Sequence, residues 1–257
     1  MPRSTTTMVT PRPGRSLTVL APIITGVVVL LGWQALSSLL GSRALPAPVS
    51  LLPRLLTELR AGGLLGYATV TFSAALLGCL IGLVVAVPLG YMIARSATIS
   101  AALGPYIAAT QAIPAVALAP LLVLWIGYGL IPIALLCALL VFFPILINTV
   151  LGLTTLDPDV VDAARVDGAG RGRLLWHIEA PLALPSLLAG IRNGFVLSVT
   201  GAVVGEFVMG GAGLGMLLTV YRDRQDTTGL FAILIALAVL AMFFFFAIRA
   251  LERQLRW

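Results

Sequence analysis

Six long apolar stretches divide the chain, at residues 17–40, 67–94, 103–126, 130–153, 182–208 and 230–251. As a helix rising 1.5 Å per residue, each is long enough to cross roughly 30 Å of hydrocarbon. Ionisable side chains are nearly absent from them, the exceptions being Arg192, Glu206 and, close to the end of the last run, Arg249. The pattern predicts an all-α integral membrane protein with six transmembrane helices. The connection at 43–66 has its own pattern. Pro46 and Pro48 end the first helix. Leu51, Leu52, Leu55, Leu56 and Leu59 then recur at helical spacing, with Arg54, Glu58 and Arg60 between them. That predicts an amphipathic helix lying on the membrane, an anchor rather than a dock for an external partner.

Composition supports lipid as the solvent. Of 257 residues, 60% are hydrophobic and 10% charged, against about 25% charged in soluble domains. The mean hydropathy is +1.07. The net charge of +6 would suggest nucleic acid on a soluble protein, but no basic patch is interleaved with aromatics, and the arginines sit between the apolar runs. They therefore report topology. With the N-terminus inside, inner segments hold Arg3, Arg12, Arg15, Arg95, Arg165, Arg171, Arg173, Arg249, Arg253 and Arg256; outer segments hold Arg43, Arg54, Arg60, Arg222 and Arg224. This bias predicts both termini in the cytoplasm. Residues 1–16 are read as a cytoplasmic tail and 17–257 as one six-span domain. The first apolar run exceeds a signal-peptide h-region and five more come after it, so it is read as uncleaved.

All sixteen basic residues are arginine. Without lysine there is no P-loop, so ATP and Mg, if they power the protein, must be held by another chain. Cys79 and Cys137 lie inside apolar runs and are read as packing residues, with no metal-ligand spacing around them. His177, the only histidine, has no carboxylate or serine constellation beside it. No catalytic residue is expected.

Between the fourth and fifth runs, residues 157–181 read DPDVVDAARVDGAGRGRLLWHIEAP. Asp157 suits an N-cap, Pro158 the first helical position and Asp159 the positive helix end. Gly168 suits a left-handed stop. A second short helix is expected over residues 171–179, running toward Pro181. The product is a stiff elbow whose small residues allow another backbone to approach. On the residues alone, a docking elbow and an ordinary solvated loop are equally good readings.

Spacing adds a resemblance. Asp162-Ala163-Ala164, then Gly168, then Ile178, Ala180 and Pro181 resemble the E-A-A-x3-G-x9-I-x-L-P loop of bacterial ABC importer permeases, with Asp162 in place of Glu and Ala180 in place of Leu. Leu45-Pro46-Ala47-Pro48, Ala112 to Leu121, Trp125 to Gly129, Phe142 to Thr149, Gly205-Glu206 with Gly213-Leu214-Gly215, and Leu251-Glu252-Arg253 are similar to the nitrate/sulfonate/taurine branch. The resemblance implies a type I ABC importer permease fold. It implies two permease chains as a homodimer, two ATP-binding subunits on the cytoplasmic side, and an extracytoplasmic binding protein or lipoprotein. The elbow would be the coupling helix, with Asp162, Ala163, Ala164, Arg165, Gly168, Ile178 and Pro181 docking the ATPase. The implied solute is of the sulfonate, nitrate or taurine class, with a thiamine precursor or riboflavin-like compound as the alternative.

Pathway or gate candidates are the polar and helix-breaking residues inside the runs: Gln111, Pro114, Asn148 and Glu206. Glu206 is read as structural or gating rather than substrate-binding, with the N–H groups of residues 210–215 within reach. Asn148 and Asn193 are expected to bond across helices. Phe243 to Phe246 are read as lipid-facing or packing residues. A secondary carrier would need buried ion-coupling charges, of which the runs are nearly free; a membrane enzyme would need paired carboxylates, a Ser/His arrangement or HExxH on one membrane face, and none is found. Export is disfavoured by the loop resemblance alone.

Overall fold

A computed structural model describes residues 15–41, 44–61 and 63–255. The expected N-terminal tail falls, up to residue 14, outside the described residues, as do Arg43 and Arg256. Among the described residues every regular element is helical. Five helices are long and apolar enough to cross a membrane, or six if one bent pair counts as a single span.

The centre is a bundle of α3 (Leu64–Arg95), α6 (Leu130–Thr154) and α9 (Ala180–Met209). Small residues let these helices touch closely, the usual way for helices to associate where lipid removes the hydrophobic drive. At Gly190 an added Cβ would sit 2.6 Å from the Cβ of Asn148 and 2.9 Å from the Pro144 carbonyl oxygen. Hydrogen bonds stitch the same contacts. Ser198 Oγ donates to the Ala75 carbonyl at 2.6 Å, and Cys137 Sγ to the Ser198 carbonyl at 3.3 Å. Cys79 and Cys137 are free and buried.

Around this bundle pack α10 (Leu214–Asp223) and α11 (Thr227–Leu255). Phe244 of α11 is buried and stacks between Phe72 and Phe195, 4.7 Å from each ring centroid, whereas Phe243 and Phe246 are exposed. Arg192, a charge inside the fifth run, is paired: its Nη1 lies 3.3 Å from Glu252 Oε2 on α11, and its guanidinium stands over Phe245.

α1 (Arg15–Leu40) keeps most of its described apolar side chains on the outside, as a helix with lipid for solvent should. It joins α2 (Pro48–Ala61) through Trp33 Nε1 donating to the Pro46 carbonyl at 3.1 Å and Ser37 Oγ to the Leu45 carbonyl at 2.7 Å. α2 is the helix the leucine spacing predicts, with Leu51 buried and Val49, Leu52, Leu56 and Leu59 exposed. Arg54 ties it down, at 3.0 Å from Glu58 and 2.7 Å from Asp226 at the start of α11, with Tyr221 beneath its guanidinium. Burial works against the Arg54 cation, but Tyr221, Asp226 and Glu58 outweigh it and hold its pKa above the ordinary value.

The third run departs from the expectation of one kinked helix over 103–126. It forms α4 (Ala97–Gln111), a 3₁₀ turn (Ala115–Leu118) and α5 (Ala119–Ile126), with an 83° bend between the two arms. Pro114 lies extended at φ −63°, ψ 113° and has no N–H to continue α4, while Pro120 in the first turn of α5 favours a new start. Two prolines six residues apart convert a kink into a break. None of the α4 side chains is buried.

Candidate coupling elbow and buried carboxylate

The elbow begins with α7 (Pro158–Val166). Asp157 Oδ1 accepts from the Asp159 N–H at 3.0 Å, capping it. At its other end Gly168 takes φ +81°. The Gly168 N–H reaches the Arg165 carbonyl and the Ala169 N–H the Ala164 carbonyl, both at 3.0 Å. This is the Schellman pattern, and it needs a residue that tolerates positive φ. The chain turns through Gly170 into α8 (Arg171–Leu174).

The next segment differs from the expected short helix that stops before Pro181. Helical structure runs without a break from Arg171 to Met209. A π turn (Leu175–Glu179) makes this possible. The Ala180 N–H bonds the Leu175 carbonyl, five residues back, and Pro181 falls in the first turn of α9 where its missing N–H costs little.

Of the expected docking residues, Asp162, Ala163, Arg165, Gly168 and Pro181 are exposed, and Ala164 and Ile178 are half-buried. Asp162 and Arg165 pair with each other at 2.9 Å on the surface of α7. The elbow also displays two large apolar side chains outside the expected set, Val166 at 87% and Trp176 at 73% exposure. Apolar residues inside an arginine-rich loop are the signal that could have found them. His177 is also exposed. Beneath this surface Glu179, only 2% exposed, forms an ion pair with Arg95, the last residue of α3.

At the opposite end of α9, Glu206 is 1% exposed. Its Oε2 accepts the Gly215 N–H at 2.7 Å, and the Thr71 hydroxyl lies 2.9 and 3.0 Å from its two oxygens. Thr71 Oγ1 in turn accepts the Leu214 N–H at 2.8 Å. Carboxylate and hydroxyl together satisfy the first two N–H groups of α10 and join α3, α9 and α10. Gly213 leaves room for this: a Cβ there would overlap both the Glu206 carboxylate and the Thr71 hydroxyl. A cavity of about 430 Å³ opens beside Glu206, walled by Val70, Ala74, Tyr128, Ile133 and Met209.

The four pathway candidates do not converge. The wall of that cavity includes none of Gln111, Pro114 and Asn148. Gln111 and Pro114 sit exposed at the break between α4 and α5. Asn148 lies at the α6–α9 contact, but its Nδ2 donates to the Pro144 carbonyl of its own helix at 2.8 Å, contrary to the expected cross-helix bond. Asn193 is exposed. No cluster of three metal-ligating side chains occurs among the described residues.

The family model described as the binding-protein-dependent transport system inner membrane component matches residues 86–257. The chain belongs to this family. It is similar to the riboflavin transport system permease protein RibX of Chloroflexus aurantiacus, 42% identical over 91% of this chain and 88% of that protein. It is 30% identical to the formylaminopyrimidine transport permease protein ThiX of Halalkalibacterium halodurans, over 94% of this chain and 96% of that one. Among solved structures, a chain of the MetNI methionine ABC transporter shares the fold. The TM-score is 0.66 at 19% identity, covering 73% of this chain and 94% of that one. The protein is thus a multi-pass inner-membrane permease subunit of an ABC transport system, a family that works with ATP-binding and substrate-binding partners.

Proposed function

We propose that this permease imports a neutral heteroaromatic solute of the riboflavin or aminopyrimidine kind, with elbow residues Asp162 to Pro181 docking an ATP-binding subunit. The relatedness to RibX at 42% identity carries the solute reading. The cavity beside Glu206 adds to it, since Tyr128 and apolar walls without a cation suit a neutral ring system better than an anion. A sulfonate or taurine-like solute is the second reading, favoured by relatives named for those solutes at 28% and 27% identity.

In this reading two copies of the chain form the pathway, and two ATP-binding subunits hold ATP and Mg beneath the elbows. An extracytoplasmic binding protein delivers solute. The wholly unburied α4 supports a second copy at that face. The lack of lysine supports a nucleotide site on another chain. ATP and solute act on the permease only through their different affinities for its inward-open and outward-open states. Expressed with its ATP-binding and substrate-binding partners in a riboflavin auxotroph lacking its own uptake system, the permease is expected to restore growth on low riboflavin. Growth rescued by taurine or an alkanesulfonate in the matching auxotrophs, and not by riboflavin, would select the second reading.

In this reading the elbow and both chain ends lie in the cytoplasm, as the arginine bias suggests. Single cysteines at Arg171 and Arg256 are expected to react with a membrane-impermeant maleimide in inverted vesicles and not in intact spheroplasts. Labelling from outside would reverse the topology.

A further inference from the structure

We propose that the Arg95–Glu179 ion pair is the positioning link that passes displacement of the elbow into α3 and on to the opposite face of the membrane. The inference rests on the elbow being the ATPase dock. Glu179 closes the π turn that joins the elbow to α9. A π turn is the segment where helical register is loosest, because one inserted residue interrupts the regular bonding ladder. Left to itself, it would absorb a push on the elbow by local rewinding, and α9 would stay still.

The ion pair removes that freedom. Glu179 is buried, and Arg95 reaches it from the end of α3 with a side chain 29% exposed. A carboxylate at that depth is held firmly by its partner, since an unpaired buried charge is strongly disfavoured. α3 and α9 are joined again midway, where Ser198 Oγ donates to the Ala75 carbonyl, and at the far end, where Thr71 meets Glu206. Two helices fixed at both ends and the middle move as one body. The exposed Asp162–Arg165 pair of α7 stays within its own helix and has no such reach.

The test tracks motion, so it does not depend on the solute. A spin label on L65C, a 67% exposed position in the first turn of α3 at the end opposite Arg95, reports the distance between the two permease copies in the assembled transporter in nanodiscs. Mg-ATP with vanadate is expected to shift this distance in the parent. In E179Q and R95Q the shift should fall by at least half, while ATP hydrolysis and subunit assembly persist. R95K should restore it, and R95Q/E179Q should be no worse than the weaker single variant. Full shifts in both glutamine variants would overturn the proposal. So would loss of assembly and hydrolysis together with the shift, which would mark the pair as structural. A parent transporter that assembles but shows no nucleotide-driven shift would instead remove the coupling reading, and the link with it.

Discussion

Glu206→Ala is expected to lower the thermal midpoint of the purified permease by several degrees and to abolish transport, although the side chain is remote from the elbow. The substitution strips the acceptor from the buried Gly215 N–H and leaves the buried Thr71 hydroxyl only a long bond, 3.4 Å, to the Tyr67 carbonyl. Each donor left without a partner costs about 1–3 kcal/mol, and the vacated volume adds a cavity term. Glu206→Gln keeps one acceptor oxygen and should lose much less. Thr71→Val removes the group that joins Glu206 to the Leu214 N–H, so its loss should not add to that of Glu206→Ala; the two report one unit. Midpoints for Glu206→Ala and Glu206→Gln that both equal the parent's, measured by thermal unfolding in detergent, would show that the carboxylate holds nothing together.

Legibility in the sequence divides by range. Spans can be read because charge is excluded from lipid and the runs nearly lack it. Capping by Asp157 and the left-handed Gly168 are local, decided by residues within a few positions, and both stand in the structure. Glu206 bonding an N–H of the segment after it is nearly local, nine residues along the chain. Its second partner, Thr71, is 135 residues away, and no periodicity points to it. Arg95 and Glu179 are likewise joined only by the fold. In the sequence Arg95 registers as an inside charge and Glu179 as a variable position in the loop pattern. The prolines show a different limit. Pro114 does more than a kink and Pro181 less than a stop, because the effect of a proline depends on its neighbours. A second proline, Pro120, starts a new helix after the first, whereas the π turn before Pro181 carries the helix through.

The family match and the structure also bear differently on the two ends of α9. The matched region, residues 86–257, contains both the elbow and Glu206 but leaves out Thr71. The partner that completes the carboxylate node therefore comes from the part of the chain outside that match, on α3. Arg95, also on α3, lies inside it. α3 is thus the element that carries the elbow-side ion pair into a segment on which the family match is silent.

Gly168→Val is expected to cut ATP-driven uptake about tenfold while leaving membrane insertion unchanged. At φ +81° a residue with a Cβ is disfavoured by roughly 1–2 kcal/mol, and a β-branched one by more. Since about 1.4 kcal/mol is a factor of ten in an equilibrium, the Schellman corner would lose about tenfold against its open forms and the angle between α7 and α8 would loosen. Nothing lies within 4 Å of an added Cβ at Gly168, so the transmembrane bundle should not feel the change. That separates corner geometry from folding. Asparagine tolerates the left-handed region, so Gly168→Asn should keep most of the uptake. Gly168→Glu adds bulk and charge on the docking face as well as strain, and should release the ATP-binding subunit on co-purification. If Gly168→Glu retains normal uptake and normal co-purification, the corner is not where the ATPase sits. If Gly168→Asn fails as badly as Gly168→Val, contact at this position, and not the backbone angle, is what the elbow requires.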